Sequence, residues 1–297
     1  MPRPLLRLPS RRAAPAVTAL VVAALTLTAG CSGKALDAGA ADPAQHPTTP
    51  TRSTPQTQAP PPVDPPPSEG ACRRLTYDAI GHYTNAAAVV SCGSPHNAYT
   101  FAVRRLPAGV DVTGVSIGNR SVQEAAAQGC QDAYAGFIGG DGAQRALTRL
   151  SVTYFLPVQV QFNRGAHWVR CDVVALAASA RLTDLPGGDL DGYLDKPVAL
   201  RRYGVCSAGP PGESSSALVI CTEEHTYRAL TALRLGTDAG RYPGETVTRA
   251  RGQQRCADYI AEKLGPGGGY TYGWTYPTPA DWQAGQRFGY CWSKTSH

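Results

Sequence analysis

The chain has 297 residues, about the length of two domains. Its formal charge is +6, but Arg3, Arg7, Arg11 and Arg12 all precede residue 31 with no acid among them. Without those four, 24 basic residues face 22 acidic ones, a net charge of +2 that gives no electrostatic reason to bind nucleic acid. The nine cysteines stand at 31, 72, 92, 130, 171, 206, 221, 256 and 291. One beside an N-terminal apolar run and eight in the body is the pattern of an exported, disulfide-bonded lipoprotein.

Residues 1–30 read as an export signal: a basic start, then an apolar run from Ala16 to Ala29 that ends in small residues. The run is about fourteen residues, short of the roughly twenty that span a bilayer. Ser10-Arg11-Arg12 hints at twin-arginine export, but no bulky apolar residue follows soon after, which favours the general secretory route. Leu27-Thr28-Ala29-Gly30-Cys31 resembles the bacterial lipobox, with Thr28 where an aliphatic residue is usual. That resemblance implies that Cys31 carries a diacylglycerol thioether and holds the mature chain on the outer face of the cytoplasmic membrane. Residues 31–70 read as a Pro/Thr-rich disordered tether, with ten prolines between Pro43 and Pro67 and no apolar period to bury. At about 3.1 Å per residue, such a segment reaches up to roughly 120 Å.

A first unit is expected over 71–183. Val89–Cys92 and Tyr99–Val103 read as strands around a Gly-Ser-Pro-His-Asn turn. Ser121–Ile138 reads as a helix with Ser121 and Glu124 as a capping box. Val122, Ala126, Cys130, Tyr134 and Phe137 lie on its apolar face, and Gly139-Gly140 ends it. Strands follow near Leu150–Phe155 and Trp168–Leu176. Residues 184–196 are a Gly- and Asp-rich connector. The second unit, 197–297, repeats the order: a strand at Leu218–Cys221, a helix at Thr246–Leu264, then strands near Tyr270–Tyr276 and Arg287–Trp292. The fold class is α+β, in two tandem repeated units, each a small antiparallel sheet with one packed helix.

The repeat is plainest at the end of each unit. Tyr154, Pro157, Phe162, Gly165 and Trp168 precede Cys171 at the offsets at which Trp274, Pro277, Trp282, Gly285 and Phe288 precede Cys291. Eight cysteines allow 105 pairings, and requiring one pattern inside each unit leaves three. Pinning the helix onto the sheet favours Cys130–Cys171 and Cys256–Cys291, which leaves Cys72–Cys92 and Cys206–Cys221.

Chemistry is sparse in the motifs. Cys92-x3-His96 recurs as Cys221-x3-His225, but without the close Cys or His pairs of a zinc site. Neither a metal nor a cofactor is expected, and the histidines read as turn caps. A loop-borne binding surface of His96, His225, Trp282 and Arg287 is the functional alternative. A His-Glu-x-x-His helix is missing from the sequence, and no catalytic residue is assigned. The Gly-rich runs Gly139-Gly140-Asp141-Gly142 and Gly265 to Gly269 each follow a helix and read as helix stops, whereas a phosphate loop precedes a helix.

These residues resemble the actinobacterial septum-formation domain. In the second unit the likeness rests on Cys221-x3-His225, Tyr242-Pro243-Gly244-Glu245 before the Cys256 helix, and Pro277, Trp282, Gly285, Arg287 and Cys291. The first unit keeps Cys92, Pro95, His96, Cys130, Pro157, Gly165 and Cys171, with Phe162 for Trp282 and His167 for Arg287. The resemblance implies two tandem copies and a non-enzymatic envelope module that binds a division protein or wall polymer. A peptidoglycan-acting envelope enzyme and a small-ligand-binding lipoprotein are the competing readings.

Overall fold

The computed structural model describes residues 62–295, apart from 214–215, 238–239 and 266–271. The export signal, Cys31 and most of the tether lie outside the described residues. In chain order the body runs β1 (Cys72–Arg73), β2 (Val89–Val90), β3 (Ala98–Arg105), α1 (Arg120–Ile138), α2 (Gly142–Ala146), β4 (Leu150–Phe155), α3 (Gln159–Asn163), β5 (Trp168–Ala178) and β6 (Arg181–Thr183). It continues with α4 (Pro197–Tyr203), β7 (Val205–Ser207), β8 (Leu218–Ile220), β9 (Tyr227–Arg234), α5 (Glu245–Leu264), β10 (Tyr272–Thr275), α6 (Pro279–Gln283) and β11 (Phe288–Lys294).

Two antiparallel sheets share one topology. The first has the order β2-β1-β3-β5-β4, with β6 added to β5; the second has β8-β7-β9-β11-β10. The register repeats as well. Tyr154 pairs with Cys171 and Trp274 with Cys291. A bulge skips Phe101 opposite Cys171 and Leu230 opposite Cys291. The offsets shared along the chain are thus a record of strand pairing, because a residue facing the central cysteine across the ladder keeps its distance in sequence. Gly165 and Gly285 have φ of 101° and 94° in the turn after α3 and α6, a conformation that costs a Cβ-bearing residue dearly.

Each long helix packs on one face of its sheet. Val122, Ala126, Cys130, Tyr134 and Ile138 form the buried stripe of α1, against Val169, Cys171, Val173 and Ala175 on alternate positions of β5. Disulfides fasten this contact, Cys130 to Cys171 and Cys256 to Cys291, both with Cα atoms 5.4 Å apart. Cys72–Cys92 and Cys206–Cys221 close the β1–β2 and β7–β8 hairpins.

Two local expectations are corrected. Asn119, not Ser121, caps α1: its side chain accepts from the Ser121 amide, so the helix starts at Arg120. Asp141, read as part of a helix stop, starts α2 through a capping box with Gln144. Within the 184–196 connector, Leu185, Leu190, Tyr193 and Leu194 are buried against the first core. The short strands β1, β6 and β7 were not anticipated.

The repeats also share packing. Ala146 and Leu147, at the C-terminal end of α2 of the first repeat, cover Val205, Ala229, Phe288 and Trp292 of the second. Tyr203 and Ile220 enter the core of the first. Arg149 N–H donates to the Tyr203 carbonyl at 2.7 Å, and Val205 N–H to the Leu147 carbonyl at 2.9 Å. Residues 63–295 accordingly lie within one compact unit.

Candidate functional site

The two Cys-x3-His motifs build the same turn. His96 Nδ1 lies 2.8 Å from the Ser94 carbonyl and His225 Nδ1 lies 2.7 Å from the Glu223 carbonyl. A carbonyl accepts and never donates, so Nδ1 carries the proton in both rings. The turn-cap reading accounts for this geometry. His96 and His225 are 1% and 5% exposed, so neither ring is displayed on the surface. His96 Nε2 is buried and meets no hydrogen-bond partner among the described residues. The adjoining Asn97 extends the bracket, exchanging two hydrogen bonds with the Leu75 backbone at 2.7 and 2.9 Å.

Trp282 and Arg287 build a second repeated device. The Arg287 guanidinium lies 4.4 Å from the Trp282 ring centroid. Its Nε donates to the Thr237 carbonyl at 3.0 Å, and the indole N–H donates to the Gly240 carbonyl at 2.7 Å. A buried cation over an indole contributes about 2 kcal/mol, here spent on holding the loop after β9. The first repeat has Phe162 and His167 at these positions, with ring centroids 4.9 Å apart. The two departures from the motif are therefore one coupled change. The four side chains grouped as a candidate binding surface are buried in two separate devices and do not form an exposed surface.

A third polar constellation belongs to the first repeat and was missed from sequence. Arg73, Thr100, Arg170 and Asp172 are all buried on the sheet face opposite α1. Arg73 Nη1 donates to Thr100 Oγ1 at 2.7 Å, and that hydroxyl donates to Asp172 Oδ1 at 2.7 Å. Arg170 Nη2 lies 3.1 Å from Asp172 Oδ2 and 3.1 Å from Asn85 Oδ1, with its guanidinium 4.3 Å from the Phe155 centroid. Burial pushes the Asp172 carboxyl above the ordinary carboxylate range, against the pull of Arg170 and Arg73. Burial likewise lowers the Arg170 guanidinium. The signal for this cluster was legible: charges two apart on an otherwise apolar strand share one face. The cluster ties the 75–87 segment to the sheet through Asn85. Among the described residues, no group of three His, Cys, Asp or Glu side chains gathers in a metal-binding arrangement.

The fold and these devices define a disulfide-bonded, internally repeated α+β body whose repeat is structural down to strand register. The family model for septum formation matches residues 69–265, and the chain belongs to that family. The match is continuous, beginning before β1 and ending at the close of α5, so both repeats contribute to it. Neither the curated proteins nor the solved structures contain a match to this chain.

Proposed function

We propose that the protein is a lipid-anchored, extracytoplasmic and non-enzymatic module of the cell envelope. It serves as a binding or scaffold protein in septum formation, with a division protein or wall polymer as partner. The observation that carries this reading is the family match across a body closed by four disulfides, which suits an oxidising compartment. Burial of the repeated histidines, Trp282 and Arg287 supports a structural use for the motif and a partner surface elsewhere. Cys31→Ala in the full-length chain tests the anchor. The variant is expected to leave the membrane fraction and appear in the soluble extracytoplasmic one. Retention of the mature, signal-cleaved variant in the membrane would overturn the lipid anchor.

A further inference from the structure

The α3 end of the first repeat carries an exposed apolar patch that the scaffold does not require. Val158 and Val160 are 54% and 59% exposed. Their counterparts at α6 are Thr278 and Ala280. Thr278 forms a capping box with Asp281, whereas Val158 sits at the cap of α3 with no side-chain hydrogen bond. The first repeat thus has an uncapped valine where the second has a capping threonine.

Two more exposed apolar residues belong to the same end. Val63 precedes Asp64, whose amide donates to Gln161 of α3 at 3.1 Å. The Tyr83 carbonyl accepts from the Leu156 amide, just before α3, at 2.7 Å. Three exposed arginines border them. Arg164 ends α3, and Arg104 and Arg105 end β3, next to the Leu106 to His167 hydrogen bond. None of the three has an ion-pair partner among the described residues. The segments that meet here carry Asp64, Glu69 and Asp111, the last in the loop whose Val115 and Ile117 bond Gln159 of α3, and the Glu69 carboxylate accepts from the Val103 amide at 2.7 Å. Val63, in this patch, is also where the chain from the N-terminal residues joins the body.

We propose that this end of the first repeat is a membrane-contact surface that rests on an anionic phospholipid bilayer. The valines and Tyr83 enter the interfacial region while Arg104, Arg105 and Arg164 meet headgroup phosphates. The proposal depends on the lipid-anchored reading only in supposing that a bilayer is near. The anchor would bring the body to the membrane, and this surface would orient it there.

The test uses residues 63–297, a fragment that spans the compact unit and lacks Cys31. They are mixed with phosphatidylglycerol-containing or purely phosphatidylcholine vesicles. Cosedimentation is expected with the anionic vesicles and is expected to weaken as salt rises. The triple variant R104Q/R105Q/R164Q should lower the partition at least about tenfold. Val158→Trp should show a blue-shifted emission change on adding anionic vesicles, while Ala280→Trp at the matched site of the second repeat should not. Val158→Thr should restore a Thr-x-x-Gln cap at α3, bind vesicles more weakly and remain folded. Absence of anionic vesicle binding would overturn the proposal, as would equal responses from the two tryptophan variants. A body that dimerises in solution through this patch, with Val158→Thr restoring the monomer, would also overturn it. Any of these failures leaves the anchor to be judged by Cys31→Ala.

Discussion

The outer faces of the two sheets solve one packing problem with opposite chemistry. In the first repeat that face carries Arg73, Thr100, Arg170 and Asp172, roofed by the repeat's own 75–87 segment through Leu75 and Ile80. At matched positions the second repeat has Ser207, Ala229, Tyr290 and Trp292, roofed by Ala146 and Leu147 from the C-terminal end of α2 of the first. The disulfide spacings record the difference. The hairpin pairs are 20 and 15 residues apart, and the helix-to-strand pairs 41 and 35. The longer intervals of the first repeat house both roofs. The inner face and the register are kept strictly, while the outer face is free to be ionic or apolar provided that something covers it. The second repeat depends on the first for its cover, and this physical asymmetry accords with one family match running through both.

If the ionic face is replaceable, its members should be costly to remove singly and cheap to remove together. Asp172→Ala leaves two buried guanidiniums without their carboxylate and should destabilise the body by about 3–5 kcal/mol. The apolar triple variant R73M/R170M/D172L should cost less than that single substitution. Urea unfolding of both, monitored by tryptophan fluorescence, gives the two values. A triple variant as unstable as Asp172→Ala would mean that the first repeat needs its charges, and the equivalence of the two faces would fail.

On the inner face the repeats differ by a matched exchange of volumes. Trp274 of β10 stands where β4 has Tyr154. The second repeat makes room with Gly252 and Gly289, where the first has Ala126 and Val169. A Cβ on either glycine would collide with the Trp274 indole. Gly252→Ala should therefore destabilise by about 1–3 kcal/mol, although alanine is favoured over glycine in a helix by about 1 kcal/mol. Adding Trp274→Tyr should recover most of the loss. Thermal melts of the single and double variants decide the point: additive losses would show that the glycines and the indole are not coupled.

Much of this scaffold was legible because cysteine, proline, glycine and aromatic residues mark ladder positions that recur at fixed offsets. Val122 to Tyr134 announced the buried stripe of α1, and the helix-to-strand pairing of Cys130 follows from where that stripe must lie. What was not legible depends on contacts distant in sequence. β1 and β7 run for two and three residues, too short for a period-2 pattern to emerge. Leu147 reads as an ordinary loop apolar residue until the other repeat is brought against it. Arg170 and Asp172 mark one face of their strand, but nothing announces their partners: Thr100 lies 27 residues from Arg73 and 72 from Asp172 along the chain. Trp282 and Arg287 were read as a surface because motif residues on loops often are; their burial comes from the loop after β9 folding back over them.

The smallest expected difference between the repeats concerns alkali. Tyr99 of β3 corresponds to Arg228 of β9. Its hydroxyl donates to Asp189 at 3.0 Å in the segment between the repeats. Burial, then the Asp189 hydrogen bond and nearby carboxylates, push its phenol up to about 12 from the ordinary 10. Since the folded state holds this proton more tightly than the unfolded chain, its contribution to stability is complete below pH 10. It is lost as pH rises from there through about 12. The denaturant midpoint of the body should fall across that window, and Tyr99→Phe should flatten part of the fall while lowering stability slightly at neutral pH through the lost bond to Asp189. Tyr203, also held above its ordinary range by burial, provides the control: Tyr203→Phe should remove a separate share of the alkaline loss. Identical alkaline profiles for Tyr99→Phe and the parent would sever the link between β3 and the 184–196 segment.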